Sequence, residues 1–209
     1  SGYSIEDLVN ILPIAFLLGW TLLLVLVEAF AKRRGVTMVL AAVGLAAAIV
    51  ITVLQAGVET SAFKNMLTVD GYAVFIYVLL LVSGLLSVAL SYDYSQRMGW
   101  ARGEYYILML FSIAGGMLMA SAANLIVVFL ALELLSIPLY ILAAFIPNEA
   151  ASEEAGLKYF LLGAFAGGFV LYGVALIYGA TGATNLMEVV SAIPTTSSPL
   201  LLLIGAALI

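Results

Sequence analysis

The stretch FLALELLSIPLYILAAF, residues 129–145, decides how this chain folds. It is apolar enough to cross a bilayer, yet it holds Glu133 near its middle and Pro138 little more than a turn later. A carboxylate at the bilayer centre costs about 2.5–3.5 kcal/mol on insertion scales, so such a residue faces a protein partner or a water-filled cavity. At about 100° per residue, Ser136 and Tyr140 fall on the same side of the helix as Glu133. Pro138 has no N–H and clashes with the carbonyl of Leu134, which frees that acceptor beside the carboxylate. Inside a membrane this kink is tolerated where a neighbouring helix or ordered water satisfies the freed group. The stretch therefore reads as one wall of a hydrated, protein-lined site. The competing reading is a protonated glutamate held in a structural interhelix hydrogen bond.

The rest of the chain has the same character. It is 65% hydrophobic and 9% charged, with a mean hydropathy of +1.22. Soluble domains are about 45–50% apolar and about 25% charged, so this is an all-α integral membrane protein with lipid as its solvent. The net charge is -5 and no basic patch points to nucleic acid. There is no cysteine and no histidine, so Fe–S clusters, His-ligated haem, thiol chemistry and most zinc sites are not expected in this chain. No metal site and no redox step are assigned to it.

Apolar runs of about 17–25 residues are candidate spans. Six are complete, at 8–30, 36–56, 72–91, 105–122, 125–146 and 156–179, and a seventh starts near Pro199. The residues from Pro199 to Ile209 are too few for a core of about 30 Å at 1.5 Å per residue, which suggests the N-terminal part of something longer. The first run lacks the basic flank and short length of a signal peptide, so it reads as a retained helix. Lys32, Arg33 and Arg34 follow span one and Arg97 and Arg102 follow span three, against Lys64 alone on the other side. Basic loops stay in the cytoplasm, which places the N-terminus outside. The short SAAN connection makes spans four and five antiparallel neighbours, with Asn124 as N-cap. Residues 184–193 read either as a short surface helix or as a structured loop.

Lys158 begins the sixth apolar run. Leu162, Phe165, Phe169, Tyr172 and Leu176 share its face, while Gly156, Gly163 and Gly167 line the opposite side. Gly163 and Gly167 form a G-x-x-x-G pair, which permits close helix approach. Lys158 is either a proton relay or a side chain that snorkels to the interface. A direct Glu133–Lys158 salt bridge is not expected, because the two lie at different depths. Glu28 reads as an interfacial ion pair beside the basic run, and Asp70 as an N-cap. Glu104 caps span four or sits at the interface, and Glu153 and Glu154 favour the macrodipole of span six.

FLALELLSIPLYILAAF followed by EAGLKYFLLGAFAGGFVLYGVALIYGATG resembles the subunit-N family of the bacterial proton-pumping NADH:quinone oxidoreductase, complex I. VDGYAVFIYVLLLVSGLLSVALSYDY is similar to the third span and following loop of antiporter-like subunits. The resemblance covers most of the chain from Asp70 onward. It implies a larger subunit built from inverted repeats with broken helices, of which 1–209 is one transmembrane domain. Residues 1–104 would hold the first three helices and 105–209 an incomplete first antiporter-like repeat. It further implies a proton path through Glu133 and Lys158, supported by Ser136, Pro138 and Tyr140, with Glu133 pairing with a buried lysine. The chain would belong to an enzyme complex of the bacterial inner membrane as one of several membrane subunits. NADH oxidation, flavin, Fe–S clusters and quinone would belong to partner subunits. Two other readings stand beside it: a subunit of a multisubunit cation/proton antiporter, and a non-transporting helical scaffold.

Overall fold

A backbone crossing lipid must satisfy its own hydrogen bonds, and long apolar runs do so as helices. The computed structural model describes residues 5–30, 35–99 and 102–209. In chain order it contains α1 (Ile5–Asn10), α2 (Leu12–Phe30), α3 (Val36–Leu54), β1 (Thr60–Ala62) and β2 (Leu67–Val69). These are followed by α4 (Gly71–Met98), α5 (Gly103–Ala120), α6 (Leu125–Ala143), α7 (Ala150–Thr181), α8 (Leu186–Ala192), a 3-10 turn and α9 (Pro199–Leu208). Among the described residues, helices α2 to α7 are the six long and apolar enough to cross a membrane. The fold is an all-α membrane bundle, as the hydropathy implies. The expected interfacial pairing of Glu28 with Lys32, Arg33 and Arg34 involves residues outside those described.

The observed helices depart from the apolar runs at their ends. The first run breaks at Ile11 into α1 and α2. Pro13 is the cause: it has no N–H to donate to Val9, whose carbonyl instead accepts from Gln55 Nε2 at 2.9 Å. Helix α4 has 28 residues and α7 has 32, so both run well past the apolar segments 72–91 and 156–179. At 1.5 Å per residue they are about 42 and 48 Å long, against a hydrocarbon core of about 30 Å. Outside the core a helix needs no apolar side chains. The end of α4 is polar and carries an Asp93–Arg97 ion pair.

Helices α2 to α5 enclose a continuous core in which Leu17, Leu24, Leu45, Leu81, Leu110 and Met117 are fully buried. At one end of the bundle the connections form a hydrogen-bonded clasp. Strands β1 and β2 pair antiparallel, Thr60 opposite Val69 and Ala62 opposite Leu67. Phe63, Lys64 and Asn65 at the tip all have positive φ, a conformation costing about 1–2 kcal/mol per residue. Neighbouring loops hold the tip in place. Phe63 N donates to Asp7 Oδ1 at 2.9 Å and Asn185 Nδ2 to Asn65 O at 2.9 Å. Thr68 N reaches Ser121 O at 2.8 Å, Ala123 N reaches Met66 O at 2.9 Å and Leu125 N reaches Thr184 O at 2.8 Å. The N-terminal segment and three inter-helix connections thus meet on one side. Arg102 and the 144–149 turn lie at the other. Residues 186–192 are helical, as one of the two sequence readings has it.

Candidate functional site

Helix α6 starts at Asn124, whose Oδ1 accepts from Ile126 N at 2.9 Å. Asp70 does the same for Ala73 N at 2.8 Å at the head of α4. Fixing the start of α6 puts Glu133 near the middle of a 19-residue span. The six-residue turn after it brings α7 back antiparallel, and the two helices meet through the glycines of α7. Gly156 lies on Ala144, Gly163 on the Tyr140 hydroxyl and Gly167 on Glu133. A Cβ at Gly167 would stand 2.6 Å from Glu133 Oε1, so the carboxylate occupies the space a side chain there would need. The glycine stripe and the Glu133 face of α6 form one seam. The absence of side chains on α7 is what lets a glutamate and a tyrosine fit between two closely packed backbones.

The other wall is α5, which meets α6 one turn before Pro138. Gly115 abuts the Leu134–Leu135 backbone; a Cβ there would stand 2.7 Å from the Leu134 carbonyl carbon. Ser112 Oγ donates to Leu135 O at 2.9 Å. The neighbouring helix thus serves the carbonyl next to the one that Pro138 frees. Pro138 and Tyr140 are buried and Ser136 is half-buried. The Tyr140 ring packs edge-on against Tyr159 at 4.7 Å and Phe160 at 6.0 Å.

Lys158 lies elsewhere. It is about two and a half turns from Gly167 and so on the opposite face of α7, away from the seam. There it is exposed and ion-paired with Glu154, one turn earlier. Leu162, Phe165, Phe169 and Tyr172 on the same face are exposed in this chain. Glu133 and Tyr140 therefore meet the same glycine face of α7, and Lys158 does not. Glu28 accepts a hydrogen bond from Thr37 Oγ1 and lies against Gly103 at the head of α5. Among the described residues no group of three or more Asp or Glu gathers as a cation cage.

Comparison with known proteins fits this arrangement. Residues 122–209, which carry α6, α7 and α9, match the NADH:quinone oxidoreductase/Mrp antiporter transmembrane family. Subunit N 2 of NADH-quinone oxidoreductase from Roseiflexus castenholzii is 43% identical over 202 residues, covering 94% of this chain and 41% of that protein. The chain belongs to this antiporter-like membrane-subunit family. Subunit N from Trichlorobacter lovleyi is 42% identical over 190 residues, covering 90% of this chain and 39% of that one. The chain spans about two-fifths of the length of these curated relatives. Among solved structures, respiratory complex I from Thermus thermophilus aligns with a TM-score of 0.74 at 33% identity, over 93% of this chain and 43% of that one. An archaeal membrane-bound sulfane sulfur reductase shares the fold, with a TM-score of 0.81 at 22% identity over 96% of this chain and 43% of that one.

Two features of this family member went unread in the sequence. The glycine stripe was visible, but not that its partner is the Glu133 face; the short 144–149 turn sets the antiparallel register that joins them. The α7–α9 crossing, where Gly173 and Gly205 pack backbone to backbone, is the second. Gly205 was the only small non-alanine residue in its apolar run, and that was the available signal.

Proposed function

We propose that this chain is part of a proton-translocating membrane subunit of a respiratory NADH:quinone oxidoreductase, and that protons pass by way of Glu133. The observation that carries this reading is the half-buried carboxylate of Glu133 at mid-span, wedged between α6 and Gly167 of α7. An ionisable group at that depth is costly, and such residues mark ion and proton pathways. Ser136, Tyr140 and the Pro138 kink support the carboxylate, and Lys158 serves near the cytoplasmic entry of protons. Residues 105–209 form an incomplete first antiporter-like repeat behind the three spans, α2 to α4, of 1–104. NADH, flavin, Fe–S clusters and quinone belong to partner subunits, and other membrane subunits flank this one. The host is a bacterial inner membrane with the N-terminus outside. Single cysteines at Gln96 and Thr184 then label from opposite sides, Gln96 from the cytoplasm; labelling from one side overturns the topology.

The test is proton uptake and NADH oxidation in membrane vesicles, normalised to assembled complex. Glu133→Gln keeps size and hydrogen bonding but cannot ionise, so the complex assembles and pumping is lost. Glu133→Asp keeps the charge with shorter reach and retains part of the activity. Wild-type pumping in Glu133→Gln would leave Glu133 a packing residue. A second reading, cation/proton exchange, has the family's own description in its favour, because that description names the Mrp antiporter. Dissipation of a pH gradient on addition of sodium, with no dependence on NADH, would select it.

A further inference from the structure

On the side of the bundle opposite the clasp, a cleft of about 450 Å³ opens between the start of α5, the end of α6 and the second and third turns of α7. Its size falls within the roughly 300–1,000 Å³ of small-molecule sites. We propose that this cleft binds one anionic phospholipid, its phosphate on Arg102 and an acyl chain along Ile141, Leu157 and Phe160. Arg102 lines the cleft directly before the first residue of α5, at the level where the apolar spans give way to polar connections. Among the described residues its guanidinium has no ion-pair partner, unlike Arg97 and Lys158, which each hold a carboxylate one turn away. A basic group above an apolar cleft between membrane helices is the arrangement that holds anionic headgroups. Arginine suits a phosphate because its planar fork donates two parallel hydrogen bonds.

The walls decide for lipid over a soluble anion. Ile141, Leu157 and Phe160 are 48%, 59% and 50% exposed, so the cleft opens sideways with an apolar rim. A free phosphate would leave that rim uncovered, whereas an acyl chain covers it. The inner wall is firm. Tyr140 is buried behind it, and Phe145 is braced by Tyr105 with ring centres 5.5 Å apart. The bound lipid would seal the foot of the α6–α7 seam beside Tyr140. The site is distinct from Glu133, which lies two turns deeper along α6.

The experiment uses the assembled complex in nanodiscs of neutral lipid, doped with phosphatidylglycerol or phosphatidylcholine carrying a diazirine on one acyl chain. Cross-links are then mapped by peptide mass spectrometry. The expected result is labelling at Ile141, Leu157 and Phe160, about fivefold stronger from phosphatidylglycerol, as one basic contact implies. Arg102→Gln should lower this labelling to the phosphatidylcholine level and Arg102→Lys should keep most of it. If Arg102→Gln does not assemble, the wild-type ratio between the two lipids decides. Equal labelling from both lipids would mean ordinary bilayer contact and overturn the proposal. Displacement by excess inorganic phosphate would make it a free-anion site and do the same. Absence of lipid label, with a cysteine at Leu157 cross-linking into protein, would show the cleft filled by polypeptide and also overturn it.

Discussion

The α2–α5 bundle and the α6–α7 seam are both helix contacts in one chain, built from different chemistry. In the bundle, long aliphatic side chains interdigitate, with Leu17, Leu45, Leu81 and Leu110 fully buried. In the seam Gly156 lies against the Ala144 backbone, while Gly163 and Gly167 leave room for the Tyr140 hydroxyl and the Glu133 carboxylate. Lipid tails are as apolar as leucine, so neither contact is driven by removal of water. What differs is tolerance. Flexible side chains can shift to absorb a methyl group, whereas a backbone cannot. The places where α6 meets backbone, at Gly115 of α5 and Gly156 of α7, are therefore where small changes have large consequences, and the Glu133 carboxylate lies on the same helix.

The strongest test of that contrast is Gly115, where α5 touches the α6 backbone at Leu134 and Leu135. Gly115→Ala should destabilise the chain by about 1–3 kcal/mol, as overpacking does, and Gly115→Leu should prevent incorporation into the complex. Volume-conserving changes in the bundle, such as Leu81→Met, should cost less than about 1.5 kcal/mol. Detergent-induced unfolding of the purified chain measures both, and equal losses would break the comparison.

A finer test lies within the seam. In Gly163→Ala the new methyl meets the hydroxyl of Tyr140, whose ring is held between Tyr159 and Phe160. Tyr140→Phe removes the hydroxyl and should restore part of the lost stability. The double-mutant cycle should return a coupling of about 0.5–3 kcal/mol, as for residues in contact. Additive effects would show that the two do not share the seam.

The smallest stability effect is expected outside it. Lys158→Ala removes an exposed pair with Glu154 and should change stability by no more than about 0.5 kcal/mol. Function separates its two readings. Lys158→Arg keeps the charge but cannot release a proton, so a relay loses pumping and a surface pair keeps it. We expect reduced pumping with unchanged assembly, measured by proton uptake in vesicles.

Much of this protein was legible in the sequence because membrane structure is governed by local rules. Hydropathy alone determined the six spans, since an apolar run in lipid has only the helix open to it. Asn124 and Asp70 were readable as caps because a cap involves residues two or three positions away. The separation of Lys158 from the glycine stripe followed from helical geometry within α7. What lay between segments was not legible. The hairpin of β1 and β2, with three successive left-handed residues, carries no strong turn signal and is held by Asp7, Ser121 and Asn185. The acceptor that Pro13 frees at Val9 is taken by the distant Gln55, and the partner of the glycine stripe depends on register across a turn. Helix formation is decided by neighbours along the chain and by the solvent. The partner of a glycine, a free carbonyl or a buried carboxylate is decided by groups distant in sequence, and only the tertiary structure brings them together.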